Sequence, residues 1–310
     1  MTRRYRHHVH NKQSDIVFIY VLAICAVIIF SFSPALFTHK KKVETVSTPY
    51  FEEKKILFNT AVFEGLPIEG KAYVVYDVKD GTVIASQNES MMLPFASITK
   101  VMTALTVRLI ARDGENITIT PSTIESGYDL GLRNKQVWSV DELLKYMLVF
   151  SSNDAAQAVA THFGGVDTFV SLMNTTAEHL GVHAVFTDPA GRDENGNIGG
   201  KGTVLDAAKL FSIAIRDIPD ILDATTKKRV TVVSSTGKVT GVPNTNQDIE
   251  TMFGVEGSKT GFTNIAGGNL GVVVDVTLGH PVVIVVLGSS KEGRFKDVQT
   301  LYKALKKSAE

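Results

Sequence analysis

The sequence is poor in cysteine: its 310 residues hold one, Cys25. A single thiol excludes an internal disulfide framework and any cysteine-rich metal site. Net charge is also absent, with 32 basic side chains balanced by 32 acidic ones. A balanced chain carries no footprint for wrapping nucleic acid, and no nucleic-acid partner is expected. Biased runs and internal repeats are missing, which excludes a disordered or fibrous chain. No His-Glu-x-x-His occurs, and His7, His8 and His10 lie in a basic tail whose positive face they extend. Neither a metal nor an organic cofactor is implied. What is present is the composition of a folded protein, 44% apolar and 21% charged. The length suits one large domain or two modest ones.

The longest apolar run opens the chain. Ile16 to Phe32 is seventeen residues without a charge, and Ser33-Pro34-Ala35-Leu36-Phe37 extends it. That approaches the roughly 20 residues a bilayer requires. Arg3, Arg4, Arg6 and Lys12 precede the run, opposed only by Asp15. The positive-inside rule then keeps residues 1–15 in the cytoplasm as a basic tail. Lys40, Lys41 and Lys42 on the far side weaken the bias, but a short N-terminal tail usually dominates. The apolar core is longer than the about 7–15 residues of a cleaved signal. Residues 16–37 are therefore expected as a retained transmembrane signal-anchor, although Ser33-Pro34-Ala35 offers a weak cleavage site. Residues 38–60 are polar and charged, as a tether should be. Residues 61–310 are expected as a single folded domain on the extracytoplasmic side of the cytoplasmic membrane. The first 55 residues take nine basic but only four acidic side chains, so the remainder is mildly acidic.

Beyond the tether, hydrophobic period changes along the chain. Lys71–Val78 and Thr82–Gln87 read as strands joined by a turn at Lys79-Asp80-Gly81. From Ser97 the period becomes helical, with Ile98, Val101, Met102, Leu105 and Leu109 on one face. Ser139-Val140-Asp141-Glu142 has the form of a capping box. Further helices are expected over 166–180, closed by Gly181, and over 203–215. Past Lys228, strands return at 229–233, 270–276 and 282–287. A final amphipathic helix covers 293–307, with Phe295, Val298, Leu301, Tyr302 and Leu305 inward. Strands, then helices, then strands, then a helix make an α+β organisation. The first and last hairpins can join in one antiparallel sheet, with the helices between them forming a second lobe.

Three short motifs carry chemistry. In Ser97-Ile98-Thr99-Lys100, three residues of helix bring the hydroxyl and the amine to one side. A serine attacks only when a base takes its proton, and lysine serves once its pKa falls from about 10.4. Ser97 also stands at a helix start, where backbone N–H groups favour developing negative charge. Ser151-Ser152-Asn153 sits between two helices and offers a proton relay and an amide. Lys259-Thr260-Gly261 enters a β-rich segment, where the cation can hold an anion and Gly261 admits a close backbone. Each motif alone has a plain structural explanation: a cap followed by a surface lysine, an N-cap cluster, an edge-strand lysine before a turn. A second Ser-x-x-Lys, Ser235 to Lys238, lies in a turn-like stretch with no helical face. All three motifs in this order are a different matter.

On these residues the sequence resembles the low-molecular-mass penicillin-binding proteins, specifically the serine-type D-alanyl-D-alanine carboxypeptidases. Phe95 to Ala104 resembles the family's nucleophile helix. Ser151 to Ala156 resembles its second motif, with Ser152 where glycine is commoner, and Gly257 to Thr263 its third. The resemblance extends through Met173-Asn174, Leu180-Gly181, Phe186, Pro189 and Gly191, and covers residues 71–305.

The resemblance implies the penicillin-binding protein/β-lactamase-like fold, an antiparallel five-stranded sheet flanked by helices with an inserted all-helical lobe. It also implies that Ser97 forms an acyl-ester with the carbonyl between two D-alanines of a peptidoglycan stem peptide, and that Lys100 accepts the serine proton. Ser151 with Lys259 would relay a proton to the departing D-alanine. Asn153 would orient the substrate, and Thr260 and Lys259 would hold its carboxylate. Backbone N–H groups of Ser97 and Phe262, beside Gly261, would form the oxyanion hole. β-Lactams would act as covalent inhibitors. Larger members carry an additional β-rich domain and a C-terminal amphipathic helix. Neither is expected here, so the N-terminal helix would supply the membrane contact.

The short layout also resembles relatives that act as D,D-endopeptidases on crosslinks, which is the nearest alternative. A β-lactamase is more distant, because no Glu-x-x-Leu-Asn is present for deacylation. A catalytically silent wall-binding or β-lactam-sensing module on the same fold is the remaining alternative.

Overall fold

Five segments form the central sheet of the computed structural model, which describes residues 56–124, 132–193 and 196–309. They are β1 (Ala72–Asp77), β2 (Thr82–Gln87), β3 (Val255–Thr263), β4 (Gly267–Asp275) and β5 (Pro281–Ser289). All neighbours pair antiparallel, in the order β3-β4-β5-β1-β2. The first hairpin and the last strands thus meet through β5 and β1, with Val74 opposite Val285. The α+β expectation and the five-stranded sheet both hold.

The sheet is buried on both faces, and side-chain alternation explains how. Val282, Ile284 and Val286 of β5 join one core cluster; Val283, Val285 and Leu287 join the other. Among the described residues the helices are α1 (Thr99–Ile110), α2 (Val140–Phe150), α3 (Asn153–His162), α4 (Val166–His179), α5 (Val204–Asp217), α6 (Pro219–Asp223) and α7 (Gly293–Ser308). Helix α7 covers one face with Phe295, Val298, Leu301, Tyr302 and Leu305, the five residues its periodicity selects. Helix α5 lies on the other face. Its Phe211 ring fills the hollow left by Gly271, where an added Cβ would come within 2.1 Å of the ring. Thr203 and Asp206 close a full capping box at its start.

The helical lobe grows from α1. Thr99 to Val107 are all buried, so this helix is enclosed on every side. Leu109, expected on the buried face, is instead 62% exposed: its neighbours Val107 and Ile110 keep the last turn of α1 on the core, and Leu109 lies on the outward side of that turn. The expected capping box at Ser139 is half made. Ser139 Oγ accepts the Glu142 N–H at 3.3 Å, but the Glu142 carboxylate turns outward. It accepts from the Val233 N–H at 2.8 Å and from Lys145 at 2.9 Å, tying α2 to a hairpin rather than to its own cap. That hairpin joins strands Arg229–Ser234 and Gly237–Pro243, so the second Ser-x-x-Lys runs from a turn at Ser235-Thr236 into a strand and has no helical face.

Packing begins before position 61. Ile56 and Phe58 pack against the α7 side of the sheet, and Asn59 N–H donates to the Ser308 carbonyl at 2.9 Å. Residues 56–60 of the expected tether therefore belong to the folded unit. The expected tail, anchor and first part of the tether lie outside the described residues. Among the described residues no helix is long and apolar enough to cross a membrane.

Candidate active site

The nucleophile candidate stands on a strained corner. Ala96 has φ +48°, a left-handed conformation that costs a side-chain-bearing residue about 1–3 kcal/mol. The corner is held by Phe95, fully buried against Phe186, and by the bond from Phe95 N–H to the Gly200 carbonyl at 2.8 Å. A 3-10 turn, Ala96–Ile98, then leads into α1 and brings Ser97 to its start.

Lys100, one turn on, is fully buried. Its Nζ donates to Ser97 Oγ at 3.0 Å, to Asn153 Oδ1 at 2.8 Å and to the Ala190 carbonyl at 2.8 Å. The Ala190 carbonyl comes from a loop built around Asp188, whose Oδ1 accepts the Ala190 and Arg192 N–H groups. Thr103 of α1 donates to the preceding Pro189 carbonyl at 2.6 Å and pins the loop against the helix.

The second motif is a reversal between α2 and α3. Ser151 takes the left-handed conformation, φ +63°, that ends α2. Ser152 follows with φ −62° and caps α3 by accepting the Ala155 N–H at 2.8 Å. The chain turns at Ser151, so position 152 has no need of glycine. The capping explanation of this cluster is correct for Ser152. Its neighbours Ser151 and Asn153 point into the cleft instead.

The third motif lies on β3, the edge strand. Lys259 is buried, and its Nζ donates to Ser151 Oγ and to the Thr260 carbonyl, both at 2.8 Å. Burial holds the Lys259 amine well below its ordinary pKa of 10.5, and the charges of Lys100 and Arg294 add to the effect. Thr260 Oγ1 donates to Thr245 Oγ1 at 2.6 Å. Gly261 passes so close to the nucleophile corner that a Cβ there would lie 2.7 Å from the Phe95 carbonyl oxygen and 3.2 Å from the Ser97 nitrogen. Phe262, next along, is 40% exposed, with the Lys291 ammonium 5.5 Å from its ring centroid.

All eight residues selected from sequence therefore come to one cleft, wedged between the edge of the sheet and the helical lobe. The D-alanyl-D-alanine carboxypeptidase pattern matches residues 59–291, most of the chain and all three motifs. The chain belongs to the D-alanyl-D-alanine carboxypeptidase family. It is similar to a D-alanyl-D-alanine endopeptidase of Escherichia coli, 31% identical over 240 residues and covering 75% of each chain. It is similar to a D-alanyl-D-alanine carboxypeptidase of the same organism, 28% identical over 290 residues, covering 89% of this chain and 65% of that one. An ampicillin-bound penicillin-binding protein of Listeria monocytogenes superposes with a TM-score of 0.68 at 30% identity, covering 77% of this chain and 98% of that one. The penicillin-binding protein fold is thereby shown, together with a serine peptidase family.

Three further residues that touch this cluster were not selected from sequence. The Ala190 carbonyl is backbone and carries no side-chain signal. Thr245 sits in an Asn-Thr-Asn loop whose composition says only turn. Arg294 is the second residue of α7, where a cation on an amphipathic helix reads as solvated. It is buried instead and donates to the Gly261 carbonyl at 2.6 Å.

Proposed function

We propose that the protein is a penicillin-sensitive serine D-alanyl-D-alanine carboxypeptidase that trims peptidoglycan stem peptides. The observation that carries this reading is the contact between Ser97 Oγ and Lys100 Nζ, backed by Asn153 and the Ala190 carbonyl. A neutral amine keeps two N–H groups. Asn153 Oδ1 and the Ala190 carbonyl each take one, which leaves the nitrogen lone pair facing the Ser97 hydroxyl. Lys100 is thereby set to accept the proton as Ser97 attacks.

The bond from Ser97 Oγ to the carbonyl carbon forms, and the Ser97 and Phe262 N–H groups receive the oxyanion. The C–N bond to the terminal D-alanine then breaks. Its nitrogen takes a proton through Ser151, whose hydroxyl already accepts from Lys259. Asn153 orients the substrate amide, and Thr260 with Lys259 holds the terminal carboxylate. Water finally cleaves the Ser97 ester and restores the hydroxyl. A β-lactam enters by the same steps, but its leaving nitrogen stays tethered to the acyl group and persists in the cleft.

The N-terminal segment completes the reading. Residues 16–37 anchor the chain in the cytoplasmic membrane in a single pass, and residues 1–15 stay inside. The catalytic unit then faces the wall from the extracytoplasmic side. The charge-free run after Arg3, Arg4, Arg6 and Lys12 supports this arrangement.

A second reading has its own support, since two of the similar proteins are named D-alanyl-D-alanine endopeptidase, at 31% and 30% identity. Muropeptide chromatography separates the two. Free D-alanine from pentapeptides, abolished by penicillin and by Ser97→Ala, is the expected result. Loss of crosslinked dimers without D-alanine release would establish the endopeptidase instead.

A further inference from the structure

Helix α7 reaches β3 through one buried side chain. Arg294 Nη1 donates to the Gly261 carbonyl at 2.6 Å, and its guanidinium lies over the Phe295 ring, 4.7 Å from the centroid. The guanidinium Nε is buried and has no hydrogen-bond partner among the described residues. A charged group so enclosed is costly to keep, and its shortest bond goes to the backbone of the oxyanion strand.

That carbonyl belongs to the same planar peptide unit as the Phe262 N–H. The described residues contain no cis peptide bond, so the carbonyl and the N–H of this unit point in opposite directions. Strand geometry fixes which way. The Thr260 carbonyl faces the cleft, where Lys259 Nζ donates to it. Successive carbonyls of a strand alternate, so the Gly261 carbonyl turns away, towards β4 and Arg294. An added Cβ on Gly268 of β4 would touch Arg294 Cδ at 3.2 Å, which locates the arginine on that side. The Phe262 N–H must then turn back into the cleft beside Ser97.

We propose that Arg294 is a positioning residue for acylation: its charged hydrogen bond to the Gly261 carbonyl fixes and polarises the peptide unit whose N–H receives the oxyanion. A cation on a carbonyl draws electron density from the amide, which strengthens its N–H as a donor. It also locks the plane of the unit, so the donor needs no reorientation when negative charge develops. The proposal rests on the assignment of the Phe262 N–H to the oxyanion hole.

The test is stopped-flow acylation of the full chain by a chromogenic β-lactam, which separates non-covalent binding from ester formation. Infrared spectra of the acyl-enzyme report the oxyanion hole directly. Arg294→Gln should slow ester formation about tenfold or more, a weakening of one donor rather than its loss. Non-covalent affinity should stay unchanged. The ester carbonyl band should move to higher wavenumber, a change that a purely structural role does not produce. Arg294→Lys, with one charged donor, should fall between wild type and Arg294→Gln in both readouts. If the Gln variant fails to fold, the Lys variant carries the test alone. A wild-type rate with an unmoved band overturns the proposal. So does a loss confined to non-covalent affinity, which would make Arg294 a direct carboxylate ligand. Wild-type protein that forms no ester at all would overturn the serine-peptidase reading itself, a separate outcome.

Discussion

Lys100 gives its three donors to Ser97 Oγ, Asn153 Oδ1 and the Ala190 carbonyl, and Ser97 lies 3.0 Å away along one of them. The two acceptors other than Ser97 decide where the lone pair points once the amine is neutral. The geometry is thus specific to an amine, and this can be tested. Lys100→Arg keeps the positive charge but cannot deprotonate. Acylation should fall by about 10²–10⁴, the usual worth of a positioned base. Fluorescent penicillin labelling of the folded variant measures it, and labelling at the wild-type rate would remove Lys100 from the role.

Asn153 orients the base as well as the substrate. Asn153→Ala leaves a buried amine short of one acceptor, which should cost about 1–3 kcal/mol of stability. Acylation should fall along with it. Urea melts and labelling rates on the same preparations provide the comparison. An unaltered melt would show that water replaces the amide without loss.

Lys259 makes the fold pH-sensitive in a direction that its depressed pKa fixes. The folded state holds this amine below its ordinary value of 10.5, and the unfolded state does not. Between the two values the unfolded chain binds more protons, so stability contributed by this site rises with pH through that window. Below the folded value the penalty for burying the charge is at its full size. Lys259→Met removes the titration. The variant should be the more stable protein at low pH, with an advantage that shrinks as pH climbs towards 10.5. A difference in melting temperature that stays constant across this window would contradict the account.

Gly261 admits the edge strand to the nucleophile corner. Gly261→Ala places a Cβ 2.7 Å from the Phe95 carbonyl oxygen, so β3 must retreat from Ser97. The expected stability loss is about 1–3 kcal/mol, typical of overpacking. Acylation should fall about 10²-fold, because a shift near 1 Å misplaces an oxyanion donor. Labelling kinetics check this, and a variant as fast as wild type would separate the oxyanion hole from this strand.

The fold itself depends on Phe211, which fills the hollow over Gly271 between α5 and the sheet. Phe211→Ala should cost about 3–5 kcal/mol in denaturant melts while leaving the cleft residues in place. A loss below 1 kcal/mol would mean that the hollow collapses without it.

Much of this was legible in the sequence for local reasons. The unbroken β-branched run in Pro281–Ser289 and the apolar spacing of Phe295 to Leu305 suit a strand buried on both faces and a one-sided helix, so composition located β5 and periodicity located α7. Ser97 and Lys100 share a helical turn, so their contact needed no tertiary knowledge. Leu109 misled because its spacing is right but Val107 and Ile110 are the residues of that turn that meet the core, and which side of a helix's last turn is covered is not a local property. The half-made capping box at Ser139 failed similarly: Glu142 found a better partner in Val233, 91 residues away.

The sequence by itself determined the chemistry of this protein: which side chains can attack, relay a proton or hold a carboxylate, and which strands and helices carry them. Only the tertiary structure decided how those groups are tuned. The lone pair of Lys100 is aimed by a backbone carbonyl at Ala190, and the Gly261 peptide is gripped by an arginine 33 residues further along. Backbone acceptors carry no mark in a sequence, and a buried cation reads like a solvated one until its surroundings are known. Both effects depend on distances between distant segments, which the packing of the sheet against the helical lobe alone sets.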